Sequence, residues 1–347
     1  MAYIDSGLMP WQPNFTLSVE GEDITDKIRE NLVDLSLRDF GAGSKKSDEI
    51  HFTVVSPDLK LPAKGVKISL ALGFGGSLVN KGTFVVDARS SSGGARKTRM
   101  VKVVARAFSK TNERGHSTLQ TQKFRSFSDI TLGDLASSVA SEHGLTARVD
   151  SSLVSMSLGH VDQVSESDMN MMTRIAQQCG AVSKITHDYW VFTPRDAQTT
   201  VSGQPLPVRT ITPDMCDSWH YRDNSDHPNT SEKGKGTYVV AYRDAADGGK
   251  IKHVTNGSGE PVMHFNVPFA SLEEARKIGA GGSKHAEKKL KGVSLSLPAT
   301  SELMSMTAEG KITLQGFGSV EDGDWKIGQL EFSLRAGQGL TLELELE

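Results

Sequence analysis

The chain has 347 residues, a formal net charge of −3, 37% apolar residues and 23% charged residues. That length suits two or three domains, the composition is that of a globular protein, and the charge lacks the basic excess of a dedicated nucleic-acid binder. Glycine is abundant, with 34 residues against 12 prolines, and follows no collagen period. This favours a β-rich chain with many turns and bulges.

Cys179 and Cys216 stand far apart without CxxC or HxH neighbours, so they read as reduced thiols and not as a disulfide or metal pair. The stretch from Met1 to Pro10 lacks a basic segment followed by an apolar one, so no secretory leader is expected. No run approaches the roughly 18 apolar residues that a membrane helix needs. Synthesis and folding in a cytoplasm are the expectation.

Residues 15–108 alternate with period two. The runs are Phe15, Leu17 and Val19; Leu35 and Leu37; Ile50, Phe52 and Val54; Val66 to Leu72; Phe84 and Val86; and Met100 to Phe108. Turns at Gly21-Glu22-Asp23, Ser56-Pro57, Gly75-Gly76 and Gly93-Gly94 separate them. Six short strands so spaced read as a small barrel or sandwich.

The period then changes. Ser128 is placed as the cap of a helix carrying Leu132, Leu135, Ala136 and Val139 on one face, stopped at His143-Gly144. A second helix is expected to start near Ser165 or Ser167 and to carry Met169, Met172, Ile175 and Ala176 as far as Gly180. A hairpin follows, with Val182 to Thr186, a turn at His187-Asp188 and Tyr189 to Phe192. The Gly-, Pro- and Thr-rich stretch up to Pro213 reads as a linker.

Strands resume at Ser218–Arg222 and Thr237–Arg243, with 223–236 read as an exposed loop. A helical stretch is expected over 271–291, with Ser271 and Glu274 as a capping box, interrupted by Gly279, Gly281 and Gly282. The tail is again β: Val293 to Leu297, Ser305 to Leu314, Trp325 to Leu334 and Leu340 to Leu346. In the last of these leucine alternates with polar residues, as in a half-buried strand.

Gly82-Thr83-Phe84-Val85-Val86 and Gly323-Asp324-Trp325-Lys326-Ile327 share a pattern. Each opens a strand pair, the first finishing with Val101 to Phe108 and the second with Leu340 to Leu346. Two readings fit: a duplicated barrel, or the ordinary likeness of any two hairpins. On the first reading the fold class is mixed α+β and mainly β: two small barrels with an α/β module between them. Residues 1–110 would form the first barrel, 111–200 the module and 201–347 the second barrel with an inserted helix at about 271–291.

The residues that could carry chemistry favour bland roles. His143, His160 and His187 flank helices outside any ligand spacing and read as caps or solvated groups. Glu166 and Asp168 read as carboxylates at a helix N-terminus. Gly73-Phe74-Gly75-Gly76 reads as a hairpin turn. The stretch from Gly279 to Lys284 lacks the feeding strand of a phosphate loop. Lys284, Lys288, Lys289 and Lys291 read first as a solvated surface and second as an electrostatic contact with a partner. No catalytic, cofactor-binding or metal-ligating residue is assigned, and the chain is not expected to be an enzyme.

Several motifs in order resemble the late control protein D family of contractile-tailed phages. They begin with Arg125-Ser126-Phe127-Ser128-Asp129-Ile130-Thr131-Leu132-Gly133-Asp134-Leu135 and His143-Gly144-Leu145. They continue with His160-Val161-Asp162-Gln163, Glu166-Ser167-Asp168-Met169-Asn170, Arg174-Ile175-Ala176 and Gly180-Ala181. The patterns at Gly82 to Asp87, Gly323 to Ile327 and Leu342-Glu343-Leu344 belong to the same likeness. The glycine-broken segment 279–282 and residues 223–236 do not match it.

The resemblance implies a structural baseplate hub, related to the hub part of the VgrG spikes of type VI secretion. Three copies would form a ring whose six barrels meet a sixfold tail tube, while the other face meets a trimeric puncturing spike. Implied partners are the spike, the tube and possible contacts with the tape-measure protein and baseplate wedge, with DNA in transit. The implied location is the tail baseplate of a virion assembled in the bacterial host cytoplasm. The alternatives are the hub of a type VI spike or phage-tail-like bacteriocin, and a tail-associated cell-wall hydrolase.

Overall fold

The computed structural model describes residues 9–41, 46–107, 118–186, 188–194, 197, 199, 206, 208–223, 236–260, 262–269, 271–273, 275, 276, 278, 279 and 291–347. The architecture is mainly β. The N-terminal part contains β1 (Pro13–Val19), β2 (Glu22–Asp23), a short helix α1 (Thr25–Arg29), β3 (Leu32–Phe40), β4 (Glu49–Val55), β5 (Lys67–Phe74), β6 (Ser77–Gly94) and β7 (Lys97–Arg106). The period-two runs become these strands, and their apolar positions point inward: Ile68, Leu70 and Leu72 of β5 are all buried.

The middle part contains β8 (Gln122–Thr131), α2 (Leu132–Glu142), β9 (Thr146–Val149), α3 (Ser151–Val154), β10 (Ser157–Ser167), α4 (Asp168–Gln178), β11 (Ala181–Thr186) and β12 (Tyr189–Pro194). β8 and β10 form a two-stranded ribbon, and β11, β12 and β9 a three-stranded sheet. Both helices pack on a core centred on Trp190 and Phe192, whose rings stack 6.1 Å apart.

Ser128 does not cap α2. It lies inside β8 opposite His160, and the cap is Thr131, whose side chain accepts from the Asp134 amide. Alternation across Phe127 and Val161, both turned toward the core, carries the ribbon up to the helix and displaces the start by three residues. Ser167 caps α4, as expected. His187 lies outside the described residues.

The C-terminal part contains β13 (Val208–Ile211), β14 (Ser218–Asp223), β15 (Gly236–Asp244), β16 (Lys250–Ser258), β17 (Val262–Phe269), β18 (Lys291–Pro298), β19 (Lys311–Leu314), β20 (Gly323–Arg335) and β21 (Gly339–Leu346). The period analysis missed β16 and β17, which form a separate small sheet with β15. Residues 224–235 and 280–290, covering most of the expected loop and the end of the expected helix, lie outside the described residues.

The remaining strands form one 13-stranded sheet. Its path is β14-β18-β21-β20-β3-β4-β7-β6-β5-β1-β2, with β19 on β20 and β13 on β19. Divided between β20 and β3, it contains the same order twice. One run is β3-β4-β7-β6-β5-β1 and the other is β14-β18-β21-β20-β19-β13, and corresponding strands follow one another identically along the chain. Every pairing is antiparallel in both runs except one: β13 lies parallel to β19, whereas β1 is antiparallel to β5.

The registers agree residue by residue. Gly82, Thr83, Phe84 and Val85 pair with Leu70, Ser69, Ile68 and Lys67. Gly323, Asp324, Trp325 and Lys326 pair with Leu314, Thr313, Ile312 and Lys311. A register shift follows at the same place in each, between Val86 and Ala88 and between Ile327 and Gln329. The two glycine–aromatic segments thus occupy equivalent strands.

This alignment exposes further repeats: Lys67-Ile68-Ser69-Leu70 with Lys311-Ile312-Thr313-Leu314, Gly73-Phe74-Gly75 with Gly316-Phe317-Gly318, and Arg38-Asp39 with Arg222-Asp223. One of these glycines has a direct steric reason. A Cβ on Gly73 would stand 2.1 Å from the Ser77 carbonyl oxygen.

Neither run closes into a barrel by a hydrogen-bonded ladder among the described residues: β2 ends the path on one side and β14 on the other. The apolar faces of both runs merge into one core that extends from Phe15 to Leu346. Introducing a charge at Leu344, which is 1% exposed, as in Leu344→Asp, should therefore cost about 3 kcal/mol or more. It should also loosen β4 and β7 together with β18 and β21. Hydrogen exchange read by mass spectrometry checks this: loss of protection confined to the C-terminal strands would contradict a shared core.

Candidate functional site

Two buried charge clusters and two open strand edges stand out. In the first cluster, Asp168 sits at the start of α4, fully buried. Its carboxylate accepts from Lys123 Nζ at 2.6 Å, Arg125 Nη2 at 2.6 Å, Gln163 Nε2 at 2.8 Å and His143 Nε2 at 2.7 Å. Burial alone would raise its pKa, but the hydrogen bonds from Lys123, Gln163 and His143 and the nearby Arg125 charge hold it below the ordinary carboxylate value.

His143, expected to be a cap or a solvated ring, is the C-cap of α2 and is buried, with its Nδ1 3.1 Å from Thr118 Oγ1. No local spacing announces this contact, because the ribbon and the two helices bring the partners together from distant positions. Asp168 likewise does more than favour a helix terminus, since it ties β8, β10, α2 and α4 together. Glu166 pairs with Arg174 at 2.6 Å. His160 remains on the exposed ribbon beside Asp162, 3.0 Å away.

Glu142, His143 and Asp168 place one potential ligand atom each within 4.8 Å of one another. Their oxygens are already engaged: Lys123 and Arg125 each bridge Glu142 and Asp168 at 2.5–2.7 Å. Two fixed cations here oppose a third positive charge, so the donor set suits a structural network and not a metal.

The second cluster fastens the middle part to the sheet. Lys184 of β11 reaches Asp39 at 2.6 Å and Asp48 at 3.0 Å. Asp39 also accepts from the Ala308 amide and Asp48 from the Phe40 amide, each at 2.9 Å. A cavity of about 510 Å³ opens beside it, lined by Asp39, Lys81, Lys184, Met304 and Met306 among others. Lys81 donates to the Met304 carbonyl and lies 4.2 Å from the Phe332 ring centroid, and burial lowers its pKa to about 8.

The open edges lie at corresponding places in the two runs. β20 is paired twice over, with β21 on one side and, from Gln329 to Arg335, with β3 on the other. The equivalent part of β6, residues 88–94, pairs with β7 alone among the described residues. In turn β14, the counterpart of β3, pairs with β18 alone. Trp219 of β14 is 41% exposed, resting edge-on against Phe317.

No family model matches the chain. Over 96% of its length it is 26% identical to the probable baseplate hub protein of Escherichia phage 186, and the match covers 92% of that protein. The chain is a relative of phage baseplate hub proteins. The probable baseplate hub protein of Escherichia phage P2 is 29% identical over 60% of the chain, a match covering 52% of that relative.

Solved structures share the fold. The prophage MuSo2 43 kDa tail protein of Shewanella oneidensis superposes with a TM-score of 0.66 at 15% identity, covering 96% of this chain and 98% of its own. The tail protein of Neisseria meningitidis gives a TM-score of 0.67 at 12% identity, covering 97% and 96%. A type VI secretion component of E. coli, described as similar to the T4 tail proteins gp27 and gp5, gives 0.55 at 10% identity, covering 95% and 76%. Baseplate hub relatives and tail-protein folds thus meet in one mainly β chain.

The charge seam implies a pH dependence. Burial pushes the Asp48 carboxyl up to about 6, against the pull of Lys184. A raised carboxyl stabilises the fold most below its unfolded value near 3.8 and loses that contribution as pH rises through 6. Relative to Asp48→Asn, the unmodified chain should lose stability between pH 4 and 6, by about 3 kcal/mol at most. Urea unfolding of both proteins across that range tests the sign, and an unmodified chain that gains stability relative to Asp48→Asn as pH rises would refute it.

Proposed function

We propose that this chain is the hub subunit of a contractile-tail baseplate and that three copies close into a ring. The observation carrying this reading is the repeated strand order together with one unused edge on each run. Within the chain, β3 pairs with β20. Among the described residues its counterpart β14 lacks a neighbour on the equivalent edge, and so does the counterpart segment of β6. Pairing β14 of one chain with β6 of the next would repeat the internal junction and satisfy both edges. A heterologous contact of this kind closes into a ring when the rotation allows, and three chains supply six copies.

The internal register fixes the expected one. Phe332 stands opposite Leu37, and Leu330 opposite Asp39. Transferred to the equivalent positions, Ser91 meets Tyr221, Ser92 meets His220, Gly93 meets Trp219 and Arg89 meets Asp223. Small residues face aromatic ones, and opposite charges face each other, a favourable cross-strand match.

The face of the sheet away from the core supports a passage for cargo. It carries Ser36 and Arg38 of β3, Glu331 and Ser333 of β20, Glu343 and Glu345 of β21, and Ser294 and Ser296 of β18. Curved into a ring, this polar wall would let DNA or a tape-measure protein slide without an apolar grip. The tail tube and the spike would dock at the two ends, and the subunit would reside in the tail baseplate of a virion assembled in the host cytoplasm. The hub of a type VI spike or tail-like bacteriocin would use the same ring. A hydrolase finds no support in the Asp168 cluster, whose carboxylate oxygens are occupied by cations.

Cysteine pairing tests the ring. Ser92→Cys with His220→Cys, in a Cys216→Ser background, should give covalent trimers on a non-reducing gel under mild oxidation. Arg89→Cys with Trp219→Cys, which the register separates, should not. A chain that stays monomeric by mass in solution with both tube and spike proteins present would overturn the proposal.

A further inference from the structure

We propose that the cavity between the middle part and the sheet binds a small amphipathic carboxylate, a fatty acid of medium chain length, with Lys81 as its counterion. Such a site would exist in the free chain as well as in a ring. A bulge places Lys81 there. Leu70 pairs with Gly82 and Ala71 with Asn80, so Lys81 is the extra residue of β6, without a partner in the ladder. Bulges of this kind re-aim a side chain. Asn80 accepts from the Gly82 amide at 2.8 Å, and Gly82 takes a φ of +103°. The Lys81 ammonium comes to lie 4.2 Å from the centroid of the buried Phe332 ring and donates to the Met304 carbonyl. The repeated unit does not require this arrangement. In the second copy the residue before the equivalent glycine, Gly323, is Asp322, whose carboxylate accepts from the Gly316 and Phe317 amides of its own turn at 3.0 and 2.8 Å.

Three carboxylates line the same cavity, and each is matched to a different lysine: Asp39 and Asp48 to Lys184, and Glu309 to Lys326. Lys81 forms an ion pair with no carboxylate among the described residues. Burial lowers its pKa to about 8 even with Asp39 in the neighbourhood, so the surroundings compensate the cation incompletely. A ligand carboxylate would supply the missing countercharge. It would accept from a donor that Met304 leaves over, since a lysine ammonium carries three. A phosphate would crowd a second negative charge against Asp39 and Asp48, which favours the singly charged carboxylate.

Much of the remaining wall is apolar. Val79 and Phe84 come from β6, Val182 from β11, Val191 from β12, and Met304 and Met306 from the connection after β18. The volume of about 510 Å³ lies within the range of small-molecule sites, roughly 300–1,000 Å³. Methionine side chains adapt readily to an irregular apolar occupant, which suits a flexible alkyl tail. Because the wall draws on the sheet and on the middle part, a bound tail would touch both and reinforce the Lys184 seam.

The test is a calorimetric titration of the full chain with decanoate, kept below its micelle-forming concentration. One decanoate per chain should bind, at least tenfold more tightly than decanol or decylamine. Each methylene removed from the acid should weaken binding about three- to fourfold. Lys81→Met keeps the stem and removes the charge. It should weaken decanoate binding at least tenfold and leave decanol binding unchanged. Should that variant fold poorly, acetylation of the unmodified chain reads the same contact. Decanoate should slow labelling of Lys81 at least fivefold by peptide mass spectrometry and leave the exposed Lys250 unaffected. The assignment is overturned by the absence of saturable decanoate binding, by decanol binding as tightly as decanoate, by decanoate binding that survives Lys81→Met, or by Lys81 labelling indifferent to decanoate. None of these outcomes bears on the trimeric hub, which stands or falls on the cysteine pairing.

Discussion

The ladder between β3 and β20 organises the rest of the structure. A lone copy of the six-strand unit would expose main-chain donors and acceptors along β3 and along the second half of β6 or β20, a standing invitation to mispairing. The internal ladder covers one edge of each kind. On the core side it apposes Leu35 with Leu334 and Leu37 with Phe332. On the polar side Arg38 reaches Glu331 at 2.8 Å and Glu49 at 3.4 Å. Among the described residues one edge of each kind remains, on opposite copies, so any assembly that satisfies them must be directional. The length of β6 and β20 makes this possible. β20 serves β19 before its register shift and β3 after it, so a single strand belongs to its own unit and to the junction.

The attachment of the middle part follows different physics. The sheet and the β8–β12 region each have a separate apolar core, and the Lys184–Asp39–Asp48 cluster joins them. Taking a lysine and two carboxylates from water is costly, and their attraction offsets this only when the geometry and accompanying hydrogen bonds are good. The amides of Phe40 and Ala308 supply those bonds. Such a seam contributes position more than stability. It holds the middle part at one end of the sheet in one orientation. The Asp168 network does the same job inside that part, where Lys123, Arg125, Gln163 and His143 arrive from three elements onto one carboxylate.

Much of this was legible in the sequence, and the gaps have physical causes. The period-two runs of β1 to β7 were readable because one face of each is buried in a common core. The Leu-Glu alternation of β21 was readable for the same reason. The Gly82 and Gly323 segments did mark equivalent strands, although the stronger echo, Lys67-Ile68-Ser69-Leu70 with Lys311-Ile312-Thr313-Leu314, lies one strand earlier and went unread. The ribbon β8–β10 was obscured because it is solvated on one side: exposed Phe124 and Val164 face each other there, and polar alternation over Ser126 and Ser128 imitates a helix start. β16 was missed because Lys250, Lys252, His253 and Thr255 leave it only Ile251 and Val254 as apolar positions, three apart, whereas the alternation of Met263, Phe265, Val267 and Phe269 in β17 was readable and went unread. His143 and Asp168 could not be paired from spacing, since what unites them is tertiary.

In the proposed ring the divergence between the two copies follows from the junctions they would serve. Arg38-Asp39 and Arg222-Asp223 are kept in both copies. Where the neighbour differs, the side chains change size in a compensating way. Leu35 and Leu37 meet Leu334 and Phe332 within the chain, whereas Trp219 and Tyr221, at the equivalent places, would meet Gly93 and Ser91 of the next chain. Exchanging the partners would set Trp219 against Leu334 and Tyr221 against Phe332, overfilling that layer, an error costing on the order of 1–3 kcal/mol per site. Leu35 and Leu37 on the small residues of β6 would leave a void instead. Volume alone thus disfavours pairing either edge with the wrong copy, and this is specificity by exclusion. A duplicated unit with identical edges could continue in either register or stop at any number of copies. In the proposed ring, unlike edges would keep the internal ladder within the chain and reserve the remaining pair for a neighbouring one.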